Sequence, residues 1–98
     1  MSVLKYNPTS QQAKSVLFDA INEGQSLLRE HYGKLDDKMF DAWFDYSRIC
    51  IQKAFRQNSY NIEADYLKLS ITFLRHNVMP TQKLEYCIQF LLSVARAI

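Results

Sequence analysis

Two stretches of this chain, Asp37–Phe55 and residues 84–98, are apolar around far more than one face when read at helical spacing. A surface helix needs an apolar stripe only somewhat wider than about 100°. Each stretch must therefore sit centrally in a bundle or share its surplus surface with a partner. Only two Gly and two Pro interrupt the 98 residues, so little breaks helical structure elsewhere. The length allows one domain with a single core, to which six Tyr and six Phe bring large buried areas.

The first eight residues read as a short arm whose Val3, Leu4 and Tyr6 lie across the bundle, closed by Pro8. Thr9 and Gln12 form a reciprocal capping pattern, which starts a helix over residues 10–32. Its Ala13, Val16, Leu17, Ala20, Ile21, Leu27 and Leu28 recur at three- and four-residue spacing on one face. Gly24 lies on that face, either to admit a close neighbour or as a tolerated kink. Gly33 then supplies a left-handed end and Asp36 a cap, so the helix over 37–56 folds back as a hairpin partner.

In that second helix Phe40, Trp43, Phe44, Ser47, Cys50, Ile51, Ala54 and Phe55 share a face, which Met39, Ala42, Tyr46 and Ile49 extend sideways. A polar break follows, with Ser59 or Asn61 as the cap of a third helix over 62–75. There Ile62, Tyr66, Leu69, Ser70, Phe73 and Leu74 share a face, flanked by Leu67 and Ile71. After a turn at 76–80, Thr81 is the expected cap of a fourth helix over 81–98. Its Leu84, Ile88, Leu91, Ala95 and Ile98 step by four and three, the spacing of knobs-into-holes packing. The expected fold is all-α, a compact four-helix bundle-like domain with a short N-terminal arm.

No pattern announces a reaction. Asp37, Asp41 and Asp45 line one edge of the second helix, where carboxylates can bind a cation or share a proton. A metal bundle also needs Glu followed three residues later by His from other helices, and that pair is absent. His31 and His76 fall near helix C-termini, where imidazolium meets free carbonyls. Cys50 and Cys87 lie on apolar faces outside any CxxC spacing and read as buried thiols of a reducing compartment. The chain is therefore expected to be non-catalytic, without metal or cofactor. It shows no secretory start and no run of 18 apolar residues, so a cytoplasmic location without membrane insertion is expected.

Binding remains. The net charge of +2 is small, and Lys53, Arg56, Lys68 and Arg75, the candidate contacts to nucleic acid, are interleaved with acids. That role is the alternative. The sideways extensions support protein association instead, because aromatic and Met-rich flanks are typical of interface cores. Met39, Tyr46 and Ile49 on the second helix and Tyr86 and Phe90 on the fourth are the expected interface. A twofold homodimer, the commonest symmetric assembly, or another protein partner would cover them.

The segments FDAWFDYSRICIQKAFRQNSY and LEYCIQFLLSVARAI resemble the small helical accessory domains of bacterial anti-phage defence proteins, a likeness covering most of residues 17–98. The resemblance implies an adaptor or assembly role in a phage or mobile-element setting, whether defence, counter-defence or immunity. The size and architecture are also similar to those of bacteriocin immunity proteins.

Overall fold

The computed structural model describes residues 10–56 and 59–98. They form four α-helices: α1 (Ser10–His31), α2 (Asp37–Phe55), α3 (Tyr60–His76) and α4 (Pro80–Ala97). The fold is an all-α four-helix bundle. The expected N-terminal arm and the Thr9 cap lie outside the described residues.

Contacts run in reversed order between successive helices, so each is antiparallel to the next. Phe44 stacks on Tyr66 while Phe40 meets Phe73; Tyr66 meets Phe90 while Phe73 meets Tyr86. The most extensive packing joins α1 to α2 and then α1 to α4, with α3 lying against α2 and α4.

The helix ends follow local chemistry. Asp36 Oδ1 accepts from the Met39 N–H at 2.9 Å, the N-cap bond read from the sequence and worth about 1 kcal/mol. Gly33 has φ 80 and so takes the left-handed turn after α1 without a Cβ penalty. One expected cap is corrected and one is met in position alone. α4 starts at Pro80, with Met79 in the cap position, so Thr81 lies inside the helix. Proline at the first helical position loses no hydrogen bond and arrives with φ preset. α3 starts at Tyr60 with Ser59, one of the two expected residues, at its N-cap, though the Ser59 side chain makes no capping bond; Asn61 is already helical.

The largest fully buried side chains are Leu17 and Ile21 of α1, Ile51 of α2, Tyr66 of α3 and Leu84 and Leu91 of α4. Tyr66 is the polar exception. Its hydroxyl lies 2.6 Å from Ser47 Oγ, and Ser47 Oγ lies 2.7 Å from the Phe44 carbonyl. Ser47 has one proton, which goes to that carbonyl, so Tyr66 donates to Ser47. The Cys87 thiol is a further partner of the phenol. A buried polar group thus keeps its hydrogen bonds while joining three helices.

Candidate functional site

Packing α1 against α2 leaves an open apolar groove along their outer seam, with a volume of about 590 Å³. Trp43 forms its floor, Glu23 and Leu27 one wall, and Met39, Ala42 and Tyr46 the other.

The floor is held from two directions. Trp43 Nε1–H donates to the Ala20 carbonyl at 2.9 Å. The indole also lies over Gly24, where an added Cβ would sit 2.9 Å from Trp43 Cζ2 and 3.1 Å from Ile88 Cδ1. Of the two readings of Gly24, the close-approach one describes the structure. Without this glycine the ring could not lie flat between α1 and α4, and the groove would have a different floor.

The groove's electrostatics are one-sided. Asp19, Glu23 and Leu27 recur every four residues along α1 and so form one line beside α2. Neither Asp19 nor Glu23 makes an ion pair among the described residues. Both act on Tyr46, whose hydroxyl is pushed above its ordinary value, first by its hydrogen bond with Cys50 and then by burial and these carboxylates. Burial likewise raises the Cys50 thiol. The rim is therefore anionic, and the phenol beside it is neutral.

The expected interface residues separate into two regions. Met39 and Tyr46 meet in the groove, Tyr46 being 41% exposed. Ile49 continues their stripe one turn further along α2 and is 48% exposed. Tyr86 is exposed on α4 beside Gln82, Glu85 and Gln89, away from the groove. Phe90 is half-buried, its ring 5.1 Å from that of Tyr66. Sequence reasoning missed Glu23 and placed Leu27 only on the core face; the line Asp19, Glu23, Leu27 was the available signal.

A second apolar surface went unread. Tyr60, Ala64, Leu67, Ile71 and Leu74 step by four, three, four and three along α3. Tyr60 is 80%, Ile71 53% and Leu74 82% exposed. Leu74, expected on the core face, points away from it. Only Tyr66 and Phe73 of α3 are fully buried, because the core-facing line Ile62, Tyr66, Leu69, Phe73 lies about 150° from the outer one at 100° per residue.

The basic residues do not converge. Lys53 and Arg56 stand at the end of α2, next to the start of α3, whereas Arg75 is in the last turn of α3, about 20 Å further along at 1.5 Å per residue. Lys68 is paired with Asp65 at 3.4 Å. The acidic edge of α2 is partly engaged: Asp37 meets Lys83 at 3.1 Å and Asp45 meets Arg48 at 3.9 Å. No group of three His, Cys, Asp or Glu among the described residues is placed to hold a metal ion. His31 and His76 stand at the ends of α1 and α3, and both thiols are buried. No helix among the described residues is long and apolar enough to cross a membrane.

What the groove offers chemically is a rigid aromatic floor, adaptable Met and Leu walls and a carboxylate rim, which suits apolar side chains carried beside a cation. No protein-family model matches the chain, and no curated protein or solved structure matches it.

Proposed function

We propose that the chain is a non-catalytic protein-interaction module that works by self-association and partner binding through the α1/α2 groove. One observation carries the reading: a preformed apolar groove whose Trp43 floor is pinned by a hydrogen bond and a glycine seat, bordered by carboxylates that make no ion pair among the described residues. A groove held in shape before binding lowers the ordering cost of seating a partner's apolar side chains. The setting in phage defence or counter-defence is part of the proposal and rests on the resemblance of the α2 and α4 segments.

The test places a photo-crosslinking side chain at the exposed groove position Ala42 in cells expressing the chain. The expected result is a polypeptide adduct that disappears when Tyr46→Glu is added, with the helical circular dichroism unchanged. Absence of an adduct above background would sink the reading.

A further inference from the structure

The two unpartnered apolar surfaces differ in the charge along their borders. The groove has Glu23 on its α1 wall, and Asp19 stands one turn before it on the same line of α1, close enough to act on Tyr46. The outer line of α3 has Lys68 and Arg75 along one edge, both within about 80° of its centre at 100° per residue. Arg75 makes no ion pair among the described residues, and Lys68 has only the exposed Asp65, a surface pair of little worth.

Each surface is therefore a poor partner for itself. Two grooves facing one another would bring together the carboxylates of both copies. Two α3 faces packed antiparallel would oppose their Lys68 and Arg75 edges. Packed parallel, those edges would meet the edge of Glu63, a carboxylate already bound by Gln52 at 2.8 Å and Arg48 at 3.3 Å. Groove against α3 joins opposite charges instead.

Shape and placement agree with charge. The outer line of α3 spans 15 residues, from Tyr60 to Leu74, about 20 Å of helix, and its alternating three and four spacing suits a seat between two other helices. The surfaces lie on opposite flanks of α2: Met39 and Tyr46 face α1, while Arg48 and Gln52 reach α3 through Glu63. No single molecule can bring them together. Covering the open parts of Tyr60, Ile71, Leu74, Tyr46 and Ile49 removes on the order of 600 Å², half of what the smallest standard interface buries, before their neighbours are counted.

We propose that the outer face of α3 on one molecule docks in the α1/α2 groove of the next, so that copies of this chain assemble head to tail. The proposal rests on the reading of the groove as a protein-docking site. A heterologous contact of this kind leaves one free groove and one free α3 face at the ends, so it continues into rings or filaments.

Mixing experiments with light scattering and circular dichroism test it. Ala42→Glu blocks the groove and Ile71→Glu with Leu74→Glu blocks the α3 face; all three positions are exposed, so the helical signal should persist. Unmodified protein is expected to grow past a dimer with concentration, each blocked form to stay monomeric, and an equimolar mixture of the two to stop at a dimer. Glu23→Lys should weaken assembly at least tenfold, with association recovered against a partner carrying Arg75→Glu. A groove-blocked form that still dimerises would make α3 self-pairing and overturn head-to-tail docking. An unmodified protein that stays monomeric while Ala42 crosslinks to a different polypeptide would overturn it too, yet leave the docking reading standing. Monomer without any adduct would end both.

Discussion

Ser47 and Tyr66 show how much one buried hydroxyl pair decides. Tyr66 needs an acceptor for its proton, and Ser47 supplies it while donating to the Phe44 carbonyl. Ser47→Ala removes that acceptor and leaves the buried phenol only the weak sulfur acceptor of Cys87, at a cost of about 1–3 kcal/mol. Tyr66→Phe removes the donor itself and leaves Ser47 bound to Phe44, so it should cost less, about 1 kcal/mol or under. Urea unfolding of both single variants and the double variant checks this order, and equal costs would contradict the assigned direction of the bond. Ser47 was readable as a core-face residue because it falls in line with Phe40, Phe44 and Ile51. Its partner was not, since a bond across 19 residues leaves no periodic trace. The same holds for Trp43 and the Ala20 carbonyl, whereas Gly24 on an apolar face left close approach and a tolerated kink both open, and the structure decides for the first.

At the level of elements, α3 separates packing from exposure within two consecutive residues. Phe73 is buried between the rings of Phe40 and Tyr86, while Leu74 is almost fully open. Phe73→Ala should destabilise the fold by about 3–5 kcal/mol. Leu74→Lys, measured in dilute monomer, should stay within about 0.5 kcal/mol of the parent. Thermal melts of the two distinguish these outcomes, and a large loss for Leu74→Lys would place it back in the core. The existence of all four helices was legible from apolar spacing, Gly33 and Asp36. The core face of α3 was legible in Ile62, Tyr66, Leu69 and Phe73, but Leu74 read wrongly as part of it, because apolar residues occur on both sides of the helix and periodicity alone does not mark where one stripe ends. The choice is made in three dimensions by Phe44, which stacks on Tyr66, and Phe90, whose tilted ring meets it; together they turn the Tyr66 side inward. The groove was half legible for a related reason: Met39 and Tyr46 stood out on α2, but a cleft also needs a second wall, and α1 appeared complete as a core helix.

Across the whole molecule, the junction of Tyr66 and Cys87 ties global stability to alkaline pH. Cys87 is fully buried, and burial pushes its thiol from an ordinary value of 9.0 to about 12. Tyr66 is raised as well, chiefly by burial. Above pH 9 the unfolded chain has released the Cys87 proton while the native chain still holds it. The unfolded state thus binds fewer protons, and stability falls as pH rises. The contribution is fully present below pH 9 and is lost progressively toward pH 12; by pH 11 the thiol alone accounts for roughly 2–3 kcal/mol. Because the group sits where α2, α3 and α4 meet, its ionisation should unfold the bundle as one unit rather than fray an end. Urea midpoints from pH 7 to 11 should therefore decline more steeply for the parent than for Cys87→Ala, which starts lower because it leaves a cavity but lacks the titrating group. Parallel declines would show that the thiol is reached by solvent before the bundle opens, and that the three-helix junction is looser than its hydrogen bonds require.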